Sequence, residues 1–441
     1  MRTARRLKIV RFENLAAVLL VVSMGVSHAD ERDPAMRIIV ERAVTPLNGP
    51  WRFHIGDDSR WSSPDFDDSQ WETVDLTPEP GAHDSDVGLT NYVRGWWVRG
   101  HQGYVGFAWY RARISIHASP GVEVAILAPA YVEDAYQFFW NDKLIGGSGD
   151  FAKASPAIYS TKPQLMRVPP SDPGQGDTVI AIRVWMSPGM EREPDGGGMH
   201  IAPKLGEAEA IDTSYQVQWL ETVRGYIVDV MEPAAFALLA LLAWRLAQAE
   251  RARTFHTWLS AALLLTAALR ANQALYFWTS HESLSTYLVV RSTILEPLGL
   301  AVWVMTWRSW FRLNNPPWFM GAIVALTALT MVQSLAGDPV ATTRWIPRAM
   351  MAVIFLTSFV AGVRRREPDR WLAVVAMVLV GTGQFADELL SLHVPGIWFP
   401  WGTGVSRTQF AYAGLIAVLS VLLIRRITRI AVGSRDSTLK D

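Results

Sequence analysis

Ala234-Ala235-Phe236-Ala237-Leu238-Leu239-Ala240-Leu241-Leu242-Ala243-Trp244 belongs to the first of seven apolar runs that fill Trp219–Ile430, and that series decides the fold of this 441-residue chain. A hydrocarbon layer about 30 Å thick takes roughly 20 apolar helical residues to cross. Runs of that kind lie at 220–246, 255–279, 286–311, 318–336, 345–363, 370–391 and 408–430. They predict an all-α seven-helix transmembrane bundle over 219–430 and a short tail at 431–441. Seven crossings put the two ends of the bundle on opposite sides.

Arginine and lysine near span ends stay cytoplasmic, whereas acidic residues count little. With the tail inside, the inner side collects Arg245, Arg251, Arg253, Arg308, Arg312, Arg364, Arg365, Arg366, Arg370, Arg425, Arg426, Arg429, Arg435 and Lys440. The outer loops hold Arg344 and Arg407. That asymmetry orients the bundle, with the lipid bilayer of a bacterial inner membrane as its first partner.

The first residues agree with this direction. Arg2, Arg5, Arg6, Lys8 and Arg11 precede the apolar run Leu15–Val26 and then Ser27-His28-Ala29, the three regions of a secretory signal peptide. Cleavage is expected after Ala29, which leaves 30–218 as a periplasmic domain. From Asp30 to Gln218 there are 27 acidic and 16 basic residues, whereas from Trp219 onward there are 13 and 20. The zero net charge is therefore a cancellation, and no basic tract speaks for a nucleic-acid partner. The chain has no cysteine, which excludes disulfides, thiolate metal sites and a cysteine nucleophile. No metal and no cofactor is expected.

Residues 30–218 carry turn signals and short alternating runs, the pattern of an all-β sandwich. Strands are predicted at Trp51–Ile55, Ala108–Ile116, Val122–Ile126, Ala135–Trp140 and Val179–Trp185. Along Trp109–Ile116 the polar Arg111, Arg113 and Ser115 alternate with Tyr110, Ala112, Ile114 and Ile116, which predicts one wet face and one core face. Asp65, Asp67, Asp68 and Ser69 are expected to cap a helix and form turns, and Trp71 to plug the core. Glu133 and Asp134 are adjacent carboxylates of the kind that glycosidic cleavage uses, but a structural role is expected for them. Gly196-Gly197-Gly198, followed by Met199 and His200, is expected to be a flexible turn, since no strand-to-helix context makes it a phosphate cradle.

The succession Leu47-Asn48-Gly49-Pro50-Trp51-Arg52-Phe53, Asp65-Phe66-Asp67-Asp68-Ser69-Gln70-Trp71, Gly106-Phe107-Ala108-Trp109-Tyr110-Arg111 and Ala135-Tyr136-Gln137-Phe138-Phe139-Trp140-Asn141-Asp142 resembles the N-terminal galactose-binding-like jelly roll of glycoside hydrolase family 2. In that family a short helical segment with the Phe-Asp-Asp-Ser-x-Trp pattern precedes the sandwich. Asn141-Asp142 stands where the family has Asn-Gly, and both residues tolerate the positive φ of a tight hairpin. The family's catalytic carboxylates sit on a separate barrel, so the resemblance implies no catalytic residue here, and the chain is expected not to be an enzyme.

Two groups of residues are candidates for function. In the loop Asn91–Tyr104, the aromatics Tyr92, Trp96, Trp97, His101 and Tyr104 suit stacking against a sugar or another flat small molecule, if they are exposed. Inside the spans, Asp229 and Glu232, Arg270, Arg291 and Glu296, Arg348, and Gln384, Asp387 and Glu388 lie at mid-depth or nearer the outside. Charges there are costly and normally face a bundle interior or a wet cavity. Spacings of three and four place Asp229 with Glu232, and Gln384 with Asp387 and Glu388, on common helix faces. Glu232-Pro233 and Glu296-Pro297 repeat a step that bends helices.

A signal peptide, an exported jelly roll and seven helices together resemble the bacterial seven-transmembrane receptors with diverse intracellular signalling modules. The resemblance implies a sensor of a small molecule such as a carbohydrate. The histidine kinase, cyclase or phosphatase module of that family has no counterpart after Ile430, so a separate cytoplasmic signalling protein is the implied partner. The alternative is a proton- or cation-coupled transporter or membrane enzyme that works through the intramembrane carboxylates.

Overall fold

The computed structural model describes residues 36–40, 44–83, 90–169, 177–188, 195–249, 253–336, 345–365, 369–398 and 405–438. The expected signal peptide, 1–29, lies outside them.

The first half is a β-sandwich. Its main sheet runs in the order β4 (Glu72–Val74), β3 (Trp51–Ile55), β5 (Gly106–Ala118), β11 (Thr178–Met186), β8 (Ala135–Trp140), β9 (Lys143–Ser148). β1 (Met36–Val40) lies parallel to the second half of β5. Facing it are β10 (Leu165–Arg167), β6 (Val124–Leu127), β13 (Lys204–Glu207) and β2 (Val44–Pro46), in that order, and the pair β12 (Gly198–Ile201) and β7 (Tyr131–Glu133). β5 and β11 pair along their length, from Thr178 opposite Ile114 to Met186 opposite Gly106.

Alternation along these strands sends Tyr110, Ala112, Ile114, Ile180, Ile182, Tyr136 and Phe138 inward against Ile126, Val132, Met199 and Leu205. The five strands read from sequence are all present, and the Asn141-Asp142 turn takes φ of 45° and 66° as expected.

The other face of β5 departs from expectation. Arg111, assigned to the wet side, is fully buried. Residues 56–71 fold over it without forming an α-helix. Asp68 Oδ2 accepts from Arg111 Nε at 2.8 Å, and the carbonyls of Ser63 and Phe66 accept from Nη2 at 3.1 and 3.4 Å. The Trp61 carbonyl accepts from Nη1. Phe66 and Trp71 close on the guanidinium at 5.5 and 5.9 Å. The Asp-rich segment is therefore a lid over a buried cation rather than a helix cap. Turn roles survive beside the lid: Asp67 accepts from Ser69 N at 3.0 Å, Asp68 O accepts from Trp71 N at 2.9 Å, and Asp65 and Ser69 stand in turns.

The second half is helical. α1 (Ala208–Ala249) continues directly from β13, so 208–218 form its first turns rather than the end of the sandwich. There follow α2 (Arg253–Trp278), α3 (Leu284–Val289), a π-helical stretch (Val290–Leu295), α4 (Glu296–Trp310), α5 (Phe319–Ala336), α6 (Trp345–Arg364), α7 (Arg370–Gln384), α8 (Ala386–Ser391), a hairpin of β14 (Ile397–Trp398) and β15 (Val405–Ser406), and α9 (Arg407–Thr438). The π stretch stands just before Pro297, while Pro233 is accommodated inside α1.

Four of these helical segments are long and apolar enough to cross a membrane: Ala208–Gln248, Leu284–Trp310, Trp345–Arg364 and Arg407–Arg429. Phe319–Leu335 and Arg370–Gln384 are shorter apolar helices. Leu238, Val324, Leu335, Val353 and Ile424 are exposed on the outside of the helices, whereas Phe236, Leu263, Trp303, Trp307, Met377 and Leu415 fill the centre. An apolar exterior of that extent fits lipid and not water, and marks the chain as a membrane protein.

Among the described residues, sandwich and helices meet at the start of α1 and at the loop before α3. Ile211 of α1, fully buried, packs on Ala125 and Leu127 of β6. Leu284 N donates to Ile158 O at 2.8 Å, and Lys162 Nζ donates to Ser280 Oγ at 3.2 Å.

Candidate functional site

The intramembrane candidates converge. Asp229 and Glu232, one turn apart on α1, are both buried and face Arg270 of α2. Arg270 Nε donates to Glu232 Oε2 at 2.5 Å and Nη2 donates to Asp229 Oδ1. Gln273, one turn along α2, accepts from Arg270 Nη1 and donates to Asp229 Oδ2 at 3.3 Å. A guanidinium fork spanning two carboxylates matches its geometry to both, and charge-assisted bonds of this kind are roughly twice as strong as neutral ones.

The second cluster gathers residues from five helical elements. Arg291 Nε donates to Glu296 Oε1 at 2.7 Å, and Tyr287 OH lies 3.3 Å from Nη1. Five residues apart, Arg291 and Glu296 share a face because the wide turn between them is π-helical. Arg348 Nη1 stands 3.8 Å from Glu296 Oε2, and its Nε donates to Glu388 Oε1 at 2.5 Å. Asp387, 64% exposed at its side chain, lies 3.8 Å from Arg291. The cluster thus reaches the protein surface at Asp387.

Tyr412 of α9 joins the two clusters. Its ring lies under the Arg270 guanidinium at 5.4 Å, and its hydroxyl is 3.5 Å from Gln384 Nε2. The Gln384 carbonyl in turn accepts from Arg348 Nη2 at 2.7 Å. All nine sequence candidates therefore belong to one chain of contacts through α1, α2, the π turn, α4, α6, α7 and α8, with Tyr412 as the member sequence reasoning missed. An aromatic in an apolar span carries no polar signal. Its trace is Gly383, where a Cβ would overlap the Tyr412 ring.

Five carboxylates meet three guanidiniums in this network. Two of its buried acceptors, Glu232 Oε1 and Gln384 Oε1, have no hydrogen-bond donor among the described residues. Among the described residues no group of three or more histidine, cysteine, aspartate and glutamate side chains is arranged to hold a metal ion.

The loop aromatics are placed differently from expectation. Tyr92, Trp96 and Trp97 are buried. Trp96 and Trp97 both donate through Nε1 to the Tyr104 carbonyl, at 3.1 and 2.8 Å. His101 Nε2 is 2.9 Å from Glu72, and the Tyr104 hydroxyl donates to Phe107 O at 2.7 Å. The exposure on which ring stacking depends is thus replaced by inward packing.

The glycine triplet explains why. Trp96 N donates to Gly197 O at 3.0 Å and Gly95 N donates to Asp195 O at 2.7 Å. A Cβ at Gly197 would strike the Trp96 indole. Gly196–Gly198 is a close-packing surface for Trp96, not a hinge.

Beside it, Glu133 Oε2 accepts from Gly197 N at 2.5 Å and lies 3.5 Å from Nε2 of the buried His200, whose ring stacks on Tyr92 at 4.6 Å. Burial raises the Glu133 carboxyl, but His200 and the Gly197 amide outweigh it and hold the group below its ordinary value. The next carboxyl is held the other way. Burial, reinforced by the Glu133 charge and opposed by the Ser187 amide, pushes Asp134 up to about 6.

No protein-family model and no curated protein matches the chain. Solved structures do. A Bacteroides uniformis β-glucuronidase is 17% identical over 37% of this chain and 17% of its own, with a TM-score of 0.25. A glycosyl hydrolase family 2 member from Bacteroides cellulosilyticus is 18% identical over 37% and 20%, TM-score 0.24. A β-glycosidase from Bacteroides vulgatus is 22% identical over 37% and 20%, TM-score 0.25. The chain spans about a fifth of the length of these proteins. All three are glycosidases, and the expectation that this chain is not an enzyme is withdrawn on that finding.

Proposed function

We propose that the chain is a membrane sensor. Its sandwich stands in the periplasm, seven helices cross the inner membrane, and the C-terminal end of α9 lies in the cytoplasm. A small molecule, a carbohydrate among the possibilities, or an envelope partner engages the sandwich, and the helices pass the resulting shift to a separate cytoplasmic effector. One observation carries this reading: α1 grows out of β13 without a linker, is clamped to β6 by Ile211, and holds Asp229 and Glu232 farther along the same rod. A displacement of the sandwich thereby reaches an ion-paired network in the bundle. Coupling also requires that the ligand bind the two bundle states with different affinity.

The test is cross-linking of the full-length protein in its native membrane, followed by identification of what is held on the cytoplasmic side. Stoichiometric recovery of a signalling enzyme, lost when Arg364, Arg365 and Arg366 are neutralised, supports the reading. Absence of any such partner overturns it.

The unpaired oxygens of Glu232 and Gln384 favour a second reading, a proton- or cation-coupled transporter or membrane enzyme. Asp387→Asn with Glu388→Gln separates the two. Transport or turnover would be lost outright, whereas a sensor keeps binding through its sandwich and changes only its output.

A further inference from the structure

Among the described residues, no carboxylate pairs with the positive charge at the end of α4. Arg308 is 9% exposed. Its Nε donates to Asn315 Oδ1 at 2.6 Å, its Nη2 donates to Asn314 O at 3.0 Å, and the guanidinium lies 4.1 Å from the centre of the Phe319 ring. Every one of these partners is neutral. Arg111, Arg270 and Arg348, the buried guanidiniums elsewhere, each hold a carboxylate. Arg407, which has none, donates to three backbone carbonyls at 2.7 to 3.0 Å. Among the described residues Arg308 has no carboxylate, and its Nη1 has no acceptor.

Arg308 lines an open groove of about 600 Å³ together with Thr254, Trp258, Arg312, Asn314 and Asn315. Arg312 is exposed and held at a φ of 48° by the turn that ends α4. Two guanidiniums, two amides and the hydroxyls of Thr254 and Ser309 therefore share one groove, and no acidic side chain among the described residues lines it. The carbonyl end of α4 supplies only about half a negative charge, which leaves the groove positive. A buried charge is costly until it is paired, and the planar guanidinium fork is matched to a phosphate's paired oxygens. Trp258, in the groove, and Trp310 and Trp318, close to it in sequence, suit the headgroup depth of a bilayer.

We propose that this groove binds a phosphate group, that of an anionic phospholipid in the leaflet at the α4 end, with Arg308 and Arg312 taking its oxygens. The proposal rests on the reading that α2 and α4 lie in the membrane, and not on signalling.

It is tested on the full chain in neutral maltoside detergent by the thermal midpoint and by native mass spectrometry. Phosphatidylglycerol, phosphatidylcholine and inorganic phosphate are added separately. Phosphatidylglycerol is expected to stay bound and raise the midpoint while phosphatidylcholine does neither, with retention weakened about tenfold in Arg308→Gln. Should Arg308→Gln fail to fold, Arg312→Gln, at an exposed position, is expected to weaken retention in the same direction. A midpoint raised by millimolar inorganic phosphate and lowered in affinity by the same substitutions keeps the phosphate site and assigns it to a free ligand. Equal retention of phosphatidylglycerol by wild type and both variants, or no response to any of the three, overturns the proposal.

Discussion

Arg111 shows what one residue commits a sheet to. A guanidinium in the apolar space over β5 is tolerated only because Asp68 and three carbonyls meet its donors. Removing one partner of such a pair costs about 3 to 5 kcal/mol. Arg111→Ala is therefore expected to lower the unfolding free energy of the full chain by that amount, with Asp68→Asn costing less because an amide oxygen still accepts. Denaturation followed by tryptophan fluorescence is a fitting readout, since Trp61 and Trp71 close the lid. Asp134 makes the opposite kind of commitment. Its pKa, raised from an ordinary 3.8 to about 6, means that the folded chain holds this proton more tightly than the unfolded chain does. Its stabilising effect is full below about pH 4 and is lost as pH rises through 6, a change on the order of 3 kcal/mol. Asp134→Asn is expected to flatten that slope and raise the thermal midpoint at pH 7.5. A variant with an unchanged pH profile would show that this carboxyl titrates normally.

At the scale of elements, α9 depends on Tyr412, and α7 makes room for it at Gly383. Tyr412→Phe removes the hydroxyl contact with Gln384 and keeps the ring beneath Arg270, so a cost of about 1 kcal/mol is expected. Tyr412→Leu loses both and costs more, as does Gly383→Leu, whose side chain must displace the ring. Thermal unfolding of the three variants in one detergent would rank them, and a Phe variant as damaged as the Leu variant would count against the ring contact. This arrangement also marks how far sequence could be read. Spacing on single helices grouped Asp229 with Glu232, because one turn of helix fixes that pair, and grouped Gln384 with Asp387 and Glu388, although α7 ends at Gln384 and α8 begins at Ala386. It could not say which helix faces which, so the aromatic bridge was invisible. The same gap explains Arg111: alternation along Gly106–Ala118 located the inner face correctly but carries no information about a distant segment folding over the outer one. Trp51–Ile55 and Ala135–Trp140 were legible to the residue because period two and flanking turn residues agree there. β1 and β2 were not, since strands at the rim of a sandwich owe their pairing to partners far along the chain.

For the whole molecule the decisive join is Glu207 to Ala208, where strand becomes helix. Two glycines inserted after Glu207 are expected to leave both halves folded, with the sandwich core around Trp51 and Tyr136 and the helix core around Trp303 untouched. On the proposed sensor reading, they break the transfer of motion from sandwich to bundle. Hydrogen exchange of the intact chain should then show faster amides at the start of α1, and cross-linking to a cytoplasmic partner should stop responding to anything bound outside. A response that survives the insertion would place the coupling at the other contact, where Leu284 meets Ile158.

The π-helical turn at Val290–Leu295 has one more consequence. It stores a residue that a regular helix of the same rise would not need. Handing that spare residue one position along the chain would rotate the neighbouring segment by about 100°, so that Arg291 and Tyr287 would swing away from Glu296 while both ends of the helix stayed where they are. The helical segment Leu284–Trp310 thus has room for a ratchet step, a way to exchange one set of ionic partners for another by passing a ripple along its length instead of moving as a rigid bar.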